Sequence, residues 1–275
     1  MSFEEPLILT VAPNGARKTK NDHPALPIAP AELAAEAEAC RNAGAAMIHL
    51  HVRDDKEGHS LDAGRYGEAI DAIRERVGDG IIIQMTTEAV GIYTPEEQMA
   101  AVRAVEPEAA SLAVRELFSD PALEQEASRF CHELAERGCM AQYIVYSDED
   151  LANFDRLVER GLLPRGEHFM LFVLGRYTAG QKSDPTDLLP FVNRNIKGHR
   201  WAVCAFGAKE AACGGAALCL GGHVRVGFEN NLLLGDGSQA PSNAALVGQA
   251  TAAAKAVGRP LANAIKARAI LRGEG

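Results

Sequence analysis

Residues 46–52 are Ala-Met-Ile-His-Leu-His-Val (AMIHLHV), and this run decides which fold the sequence predicts. It is short, apolar apart from its two histidines, and flanked by segments of helical pattern, as expected of a buried strand in a parallel sheet. The helix before it opens at Ala29-Pro30-Ala31-Glu32 and ends at Gly44, and the helix after it covers 63–77. The stretch therefore predicts a strand between two helices.

The same alternation extends in both directions along the chain. Seven further runs predict strands: LILTVA (7–12), IIIQMTT (81–87), AASLAV (109–114), CMAQYIVY (139–146), HFMLFVL (168–174), RWAVCAFG (200–207) and HVRVGFE (223–229). Further helices are predicted from Thr94-Pro95 onwards and over 122–137, 147–160, 186–197, 208–220 and 242–257. Eight strand–helix units of this length predict an α/β fold, one (β/α)8 TIM barrel domain over 1–275 with an extra C-terminal helix at 261–272. A doubly wound open sheet is the alternative, but its G-x-G-x-x-G turn is missing after the first strand.

Composition excludes several classes of protein. With 28 Lys plus Arg against 37 Asp plus Glu, the net charge is -9, and no basic stripe is present for binding nucleic acid. The apolar runs are shorter than the ~20 residues that span a membrane, and acidic residues precede the first one, unlike in a signal peptide. Six cysteines without a C-x-x-C pair indicate reduced thiols and a cytoplasmic location.

Two histidines and one glutamate are candidate metal ligands. The active site of such a barrel lies where the strands end, and His49 and His51 share one side of the downstream end of their strand. Glu229 ends the eighth predicted strand on the same side as Arg225 and Gly227. Two imidazoles and one carboxylate with open positions are typical of catalytic Zn²⁺ or non-haem Fe²⁺. The alternative is that the histidines pack in the core and the glutamate is solvated.

The other six histidines are placed less well for metal binding. Three fall at strand beginnings, one lies within a helix and two lie in loops: His168, His199, His223, His132, His23 and His59. An amidohydrolase metal site also uses an H-x-H pair, but on the first strand, with histidines from strands five and six and an aspartate from strand eight. This chain lacks that pattern.

Five blocks strongly resemble the β-keto acid cleavage enzyme family. They are LILTVAPNGA (7–16), AGAAMIHLHVRDDKEG (43–58), IIIQMTTEAVG (81–91), GHVRVGFENNLLL (222–234) and SNAALV…AKAVGRPLA (242–262). The resemblance implies a (β/α)8 barrel, usually a homotetramer, that binds one Zn²⁺ through His49, His51 and Glu229. It also implies conversion of a β-keto acid and acetyl-CoA into acetoacetate and a new acyl-CoA.

The resemblance further implies roles for residues around the metal. Arg225 matches an arginine that assists proton removal by pairing with an acid beside the metal ligand. Substrate-binding positions of the family correspond to four residues with small polar side chains, namely Asn14, Thr86, Thr87 and Ser111.

The chain departs from the family at the expected base. Glu-Asp-Asn is usual where this chain has Glu229-Asn230-Asn231, and an amide is no general base near neutral pH. Asn230 then only orients water and substrate oxygens, or another carboxylate removes the proton. Glu88 and Glu116, just beyond strand ends, are the candidates. The sequence favours Glu88, because it replaces part of a glycine pair found in one member of the family, the 3-keto-5-aminohexanoate cleavage enzyme (the aminohexanoate enzyme).

Charge differences predict the kind of substrate. The aminohexanoate enzyme has a glutamate where this chain has Arg17, acids on strand five where this chain has residues 142–144, and a small residue where this chain has Arg115. Because like charges in a poorly solvated pocket repel, we expect a neutral or anionic β-keto acid, such as a β-keto dicarboxylate. An alternative is that Arg17 pairs with Glu88, which makes the pocket neutral.

Acetyl-CoA, as co-substrate, needs contacts for its phosphates. The candidates are Arg176 and Lys182 in the loop after strand six and the backbone of Gly207 before the next helix. Two other functions stay open, a metal-assisted aldolase or hydrolase that works without CoA and an inactive barrel that serves as a metal-binding or assembly subunit.

Overall fold

The computed structural model describes residues 5–195 and 199–274. Its strands are β1 (Leu9–Val11), β2 (Met47–Leu50), β3 (Val52–Arg53), β4 (His59–Ser60), β5 (Ile82–Met85), β6 (Ala109–Ala113), β7 (Met140–Val145), β8 (Phe169–Leu174), β9 (Arg200–Ala205) and β10 (His223–Val226). Its helices are α1 (Pro30–Ala43), α2 (Ala63–Val77), α3 (Pro95–Val105), α4 (Val114–Leu117), α5 (Glu124–Glu136), α6 (Asp148–Glu159), α7 (Leu189–Asn195), α8 (Glu210–Cys219), α9 (Asn243–Ala256) and α10 (Ala264–Leu271).

Eight parallel strands close into a barrel in the order β1-β10-β9-β8-β7-β6-β5-β2, which confirms the predicted fold. Each barrel strand coincides with one predicted apolar run, because a strand covered on both faces must be apolar throughout. Threonine and serine caps start the helices where expected, with Thr94 before α3 and Ser147 before α6 accepting backbone N–H groups.

Several local predictions were wrong. His59, expected in a loop, lies in β4, which pairs antiparallel with β3 to form a small hairpin above the barrel. The helix expected over 122–137 begins at Glu124 after a 3-10 turn at Pro121–Leu123, and the one expected from 186 is a 3-10 turn at Pro185–Leu188 followed by α7. Residues 196–197 of that helix lie outside the described residues.

The C-terminal helix closes one end of the barrel. Ala267 and Ile270 of α10 pack in one buried cluster with Ile8, Met47 and Ile82 at the beginnings of the strands. A second apolar layer lies between the barrel and its outer helices. Because α10 covers the end where the strands begin, the open end is the one where they finish, as in other barrels of this type. No helix among the described residues has the length and apolar composition needed to cross a bilayer.

Candidate active site

The three predicted ligands meet at the open end of the barrel. Nε2 of His49 lies 3.1 Å from Nε2 of His51, and Oε2 of Glu229 lies 3.8 Å and 3.4 Å from these two nitrogens. One ligand atom from each residue fits within 4.8 Å of the others, although His49 and Glu229 are 180 positions apart in the sequence. Both imidazoles are buried, and the three side chains are therefore arranged to hold a divalent cation.

Hydrogen bonds orient the first of these imidazoles. Nδ1 of His49 lies 2.8 Å from Oε1 of Gln84 on the neighbouring strand β5, and Gln84 in turn donates to Gln142 on β7. With Nδ1 donating to this amide oxygen, Nε2 of His49 keeps its lone pair for a ligand. Burial, followed by the nearby Arg225 cation, lowers the pKa of His49 to about 3, so the ring is neutral, as a metal ligand must be.

Glu229 reaches the site from a turn and not from the strand, which corrects the sequence prediction. Strand β10 ends at Val226, and Gly227 has a φ of 141°, a conformation that side chains rarely adopt. The turn then folds back, with the N–H of Glu229 donating to Ala12 O at 3.1 Å. A β-carbon on Gly15 would lie 2.5 Å from Cγ of Glu229, so the loop after β1 needs glycine at that place.

Arg225 fixes the orientation and charge of Glu229. Its guanidinium, 4% exposed, donates to Oε1 of Glu229 at 2.9 Å and leaves Oε2 facing the histidines. Among the described residues, Oε2 has no hydrogen-bond partner although it is buried. Burial alone would raise the pKa of Glu229, but the Arg225 cation and then the two imidazoles outweigh it and hold the pKa well below its usual range. A buried anion with a free oxygen is suited to a cation.

A second acidic residue, Glu210, holds the turn that carries Glu229. Glu210, at the start of α8, accepts hydrogen bonds from the N–H of Gly227 at 3.2 Å and from Nδ2 of Asn231 at 3.3 Å. Glu210 is 2% exposed, and this burial raises its pKa to about 8. A carboxylate so poorly solvated needs these donors, and they tie both sides of the Glu229 turn to α8.

A cleft in two parts opens above the three ligands. The polar side chains that line the inner cavity include Thr86, Thr87, Glu88, Glu116 and Arg225. The apolar part of the lining consists of Ala113, Ile144, Tyr146, Val173 and Phe206. An outer cavity lies beside the loop after β1 and includes Asn14, Arg17, Lys18, Asp22 and Gln181. Glu88, Arg176, Phe206 and Glu229 border both cavities, so the two form one cleft.

Of the four predicted substrate residues with small polar side chains, Thr86 and Thr87 line the inner cavity and Asn14 lines the outer one, whereas Ser111 is outside the residues that line the cleft. Asn14 donates to His51 O at 3.1 Å, and its buried Oδ1 has no partner in the described part of the chain. Thr86 accepts the N–H of Glu88 at 3.1 Å and Thr87 donates to Ser111 O at 2.7 Å. The hydroxyl of Ser111 is buried and, within residues 5–195 and 199–274, unpartnered.

The two candidate bases have different surroundings. Oε1 of Glu88 accepts a hydrogen bond from Arg176 at 3.1 Å, so Arg176, and not Arg17, is the partner of Glu88. Glu116 accepts hydrogen bonds from the N–H of Ala89 at 3.0 Å and from Nε2 of Gln98 at 2.8 Å, both at its Oε2. Asn230 donates to Sγ of Cys204 at 2.6 Å, and its Oδ1 is buried without a partner among the residues described.

Two predicted contacts are placed differently from the expectation. Arg115 is outside the residues that line the cleft, because its guanidinium donates to both carboxylate oxygens of Asp150 and lies over the Tyr146 ring. The N–H of Gly207, expected to meet a phosphate, donates to Asn230 O at 3.2 Å and is therefore occupied. Lys182 is exposed beside the outer cavity, where its neighbour Gln181 forms part of the lining.

Sequence reasoning missed the residues that position the site. Arg53 donates to Gly15 O at 3.1 Å and to Lys18 O at 2.8 Å, which holds the loop after β1 over the cleft. Glu210 looks like an ordinary acidic residue in the first turn of a helix, so its sequence carries no signal for this role. The one usable signal was Arg53 itself, a cation directly after the H-x-H run.

Comparisons with known proteins identify the family. A sequence model of the β-keto acid cleavage enzyme family matches residues 6–272. The 3-keto-5-aminohexanoate cleavage enzyme of Fusobacterium nucleatum is 36% identical over 275 residues, covering 97% of this chain and 98% of that protein. The 3-oxoadipate:acetyl-CoA acetyltransferase of Cupriavidus necator is 30% identical over 275 residues, covering 97% and 95%.

Solved structures support the fold alone. The apo structure of ObcA superposes with a TM-score of 0.74 at 18% identity, covering 90% of this chain and 65% of ObcA. The matched length and the identity to curated relatives are what establish the family. The chain is an enzyme that belongs to the β-keto acid cleavage enzyme family.

Proposed function

We propose that the protein is a Zn²⁺-dependent acyltransferase that converts a β-keto acid and acetyl-CoA into acetoacetate and a new acyl-CoA. The observation that carries the proposal is the convergence of His49, His51 and Glu229 within 4.8 Å at the floor of an open cleft. Curated relatives named for acetyl-CoA-dependent transfer, such as the one acting on 3-oxoadipate, support the choice of co-substrate.

The donor atoms fit Zn²⁺. Ligands about 2.0–2.1 Å from a tetrahedral zinc ion lie about 3.3–3.4 Å from one another. The three separations here, 3.1, 3.4 and 3.8 Å, bracket that value. The unpartnered Oε2 of Glu229 supplies the negative charge that the cation needs. When bound, the ion supplies a Lewis acid with open positions for the two oxygens of a β-keto acid.

The side chains around the ligands bind and orient the substrate. The hydroxyl of Thr86, in the lining of the inner cavity, is placed to donate to the substrate carboxylate or keto oxygen, and the family resemblance assigns the same role to the buried, unpartnered hydroxyl of Ser111. Arg225 keeps Glu229 ionised and adds positive charge at the inner cavity, where enolate charge develops. The buried Oδ1 of Asn230 orients a water molecule or a substrate donor.

The proton on the carbon between the two carbonyl groups needs an acceptor. Asn230 has no carboxylate, so the acceptor is one of the acidic residues in the inner cavity. Glu88, the residue favoured by the sequence, and Glu116 both line that cavity.

Charges at the outer cavity suit acetyl-CoA and an uncharged or anionic substrate. Glu88 is matched by Arg176 and Glu229 by Arg225, which leaves Arg17 and Lys18 as the cations at the outer end, against Asp22. We assign the phosphates of CoA to this end, with Lys182 at its rim and Arg176 between the two cavities.

The apolar wall indicates the nature of the substrate's tail. Ile144 and Val173 offer no partner to an ammonium group, so this part of the lining favours a tail without a positive charge. We therefore propose a neutral or anionic β-keto acid. The proposal also includes a homotetramer, which rests on the resemblance to the family, and a cytoplasmic location, which rests on the cysteine pattern.

Acetoacetate formation tests the proposal. The purified protein is assayed with zinc, acetyl-CoA and three β-keto acids that carry cationic, neutral and anionic tails: 3-keto-5-aminohexanoate, 3-oxohexanoate and 3-oxoadipate. We expect acetoacetate only when acetyl-CoA is present, and with one of the last two substrates. Cleavage without acetyl-CoA would instead identify an aldolase or hydrolase, a preference for the cationic acid would contradict the charge argument, and no turnover would indicate an inactive barrel.

A further inference from the structure

Asn230 leaves the proposed reaction without the carboxylate that would receive the substrate proton. Its amide nitrogen already donates to Cys204, and an amide oxygen is not protonated near neutral pH. Of the acidic residues in the inner cavity, Glu229 belongs to the ligand cluster and is paired with Arg225. The choice is therefore between Glu88 and Glu116.

Glu88 is engaged with a cation. Its Oε1 lies 3.1 Å from the guanidinium of Arg176, and the two side chains are only 21% and 15% exposed. The guanidinium donates a charge-assisted hydrogen bond that holds this carboxylate in place. Taking up a proton at Glu88 would leave Arg176 unpaired beside Phe206, over whose ring it lies at 5.2 Å. Glu88 is better suited to hold Arg176 between the two cavities.

Glu116 has a fixed position and one free oxygen. Both of its hydrogen bonds end on Oε2, one from the N–H of Ala89 and one from Gln98. Gln98 is 3% exposed and also donates to Thr87 O, so it ties the carboxylate to the end of β5. Oε1 accepts no hydrogen bond from any residue that the structure describes, and it is not buried. This oxygen is therefore available to a molecule in the inner cavity.

The surroundings of Glu116 also favour protonation. Burial raises its pKa, and the charge of Glu88 raises it further, against the two hydrogen bonds at Oε2. The Arg115 cation has the opposite and smallest effect on this pKa, and its guanidinium is paired with both carboxylate oxygens of Asp150. A carboxyl group with a raised proton affinity, a fixed orientation and an open oxygen has the properties of a general base.

We propose that Glu116 is the catalytic residue that removes the C2 proton of the β-keto acid and later returns it, an assignment that rests on the proposed function. The C2–H bond breaks, its electron pair enters the enolate, and the proton forms an O–H bond at Oε1 of Glu116. The enolate carbon then attacks the acetyl carbonyl of acetyl-CoA and expels CoA thiolate.

The proton returns at the end of the sequence. The thiolate adds to the original keto carbon, the bond between C2 and that carbon breaks, and the electron pair stays on C2. C2 is now part of acetoacetate and takes the proton back from Glu116. Each turnover restores the carboxylate, and no further reactant is needed.

Exchange of the C2 hydrogens tests this assignment before any acyl transfer occurs. Zinc-loaded protein is incubated with 3-oxohexanoate in D2O without acetyl-CoA, and deuterium at C2 is followed by NMR above the enzyme-free rate. We expect Glu116→Gln to slow exchange by about 100-fold or more, since general-base catalysis is typically worth that factor. The variant should still bind zinc in equal amount, and 3-oxohexanoate with a Kd within about threefold of wild type.

Three further variants make the comparison specific. Glu88→Gln should raise KM more than it slows exchange, because it releases Arg176. Glu96→Gln, the same change at an exposed position in the first turn of α3, should have no effect. Glu116→Asp shortens the side chain, which moves its oxygens away from the cavity, but it keeps the carboxyl group. This variant should therefore retain part of the exchange that Glu116→Gln loses.

The outcomes separate this assignment from the proposed function. Wild-type exchange rates in Glu116→Gln, or a 100-fold loss in Glu88→Gln alone, would overturn the assignment and leave the acyl transfer intact. If Glu116→Gln does not fold, full exchange in Glu116→Asp overturns it. Neither exchange nor acetoacetate from the wild-type protein would overturn the proposed function, and the assignment with it.

Discussion

The two ends of the barrel treat their buried polar groups in opposite ways. At the end where the strands finish, buried atoms of Glu229, His51, Asn14, Ser111 and Asn230 lack partners within the described residues. Where the strands begin, polar side chains are largely matched. Of the nine buried unpartnered side-chain atoms in residues 5–195 and 199–274, only Nε2 of His168 lies at that end.

Glu108 illustrates the matched end. It stands just before β6 and accepts hydrogen bonds from the N–H of Ile83 at 3.1 Å and from Nε of Arg268 on α10 at 2.9 Å. It also forms an ion pair with Arg74 on α2. One carboxylate thereby joins a strand, an outer helix and the helix that closes the barrel.

This difference between the two ends indicates that one end serves function and the other serves stability. An unpartnered buried group costs about 1–3 kcal/mol, so a fold keeps such groups only where something else satisfies them. At the open end the proposed substrate and metal ion would do so, and at the closed end the protein itself does. Substitutions at the two ends should therefore have different consequences.

The largest effect is expected at the ligand cluster. Glu229→Ala removes the only ligand with a negative charge, and His49→Ala removes one of the imidazoles. Either change should abolish zinc binding and lower kcat/KM by about 10³-fold or more, because the Lewis acid is worth several kcal/mol. Zinc content by mass spectrometry and acetoacetate formation measure both effects. Full activity in a metal-free variant would show that the cluster is not the catalytic site.

Glu210 should have a smaller effect on the same site without touching the ligands. The carboxylate of Glu210 accepts hydrogen bonds from the N–H of Gly227 and from Nδ2 of Asn231. Glu210→Gln replaces one of its oxygens with an NH2 group, which faces one of these donors, so the substitution should loosen the Glu229 turn. We expect zinc affinity to fall by about 10–100-fold, as for other groups that orient metal ligands. Competition with a chelator measures this affinity. Glu75→Gln, at an exposed position of α2, is the matched control, and equal affinities in the two variants would contradict the role of Glu210.

The barrel could be predicted from the sequence because its determinants are local. A parallel strand buried on both faces must be apolar along its length, so each run such as 81–87 marks one strand. The hairpin of β3 and β4 escaped prediction because strands of two residues, one with a histidine and a serine, carry no such pattern.

The candidate metal ligands could be predicted because the apolar runs that contain them finish at the open end of the barrel, but the turn that carries Glu229 and the residues that support the site could not. The partner of Glu88 was expected to be Arg17 or solvent, and it is Arg176, 88 positions away. Such pairings depend on how loops from different strands meet above the barrel. Asn230 was predictable as a departure from the family, but the free oxygen of Glu116 depends on Gln98, which lies on a helix and shows no functional pattern.

At the closed end, Glu108→Gln should affect stability and leave the chemistry unchanged. The substitution removes the negative charge that faces Arg74 and Arg268. The side chains of Glu108, Arg74 and Arg268 are 22%, 27% and 16% exposed. Because solvent partly screens these pairs, we expect the free energy of unfolding to fall by about 1–3 kcal/mol. Urea denaturation measures the loss, and zinc content with kcat should match wild type. If Glu108→Gln had normal stability but had lost zinc, the proposal that the closed end serves stability and the open end serves function would be contradicted.

The smallest effect is expected from pH at the same closed end. The hydrogen bond from His223 lowers the pKa of Glu5 to about 2, against the effect of burial, and burial lowers the pKa of His223. Both groups bind fewer protons in the folded than in the unfolded protein, so stability falls as pH falls, below 6.5 for His223 and from 4.5 towards 2 for Glu5. Because Glu5 is 35% exposed, its share is about 1 kcal/mol after allowance for screening.

Glu5→Gln isolates that share, since its amide oxygen still accepts the Nε2–H of His223 while Nδ1 accepts the N–H of Ile8. Urea denaturation at pH 5.5 and pH 3.5 should show a smaller loss of stability on acidification in Glu5→Gln than in wild type. The carboxylates of the open end titrate equally in both proteins, so the difference between the two curves reports the closed end alone. If stability changed with pH equally in the two proteins, the Glu5–His223 contact would add nothing to what water provides to the separated groups. The closed end would then owe its stability to the Glu108 cluster and to the packing of α10.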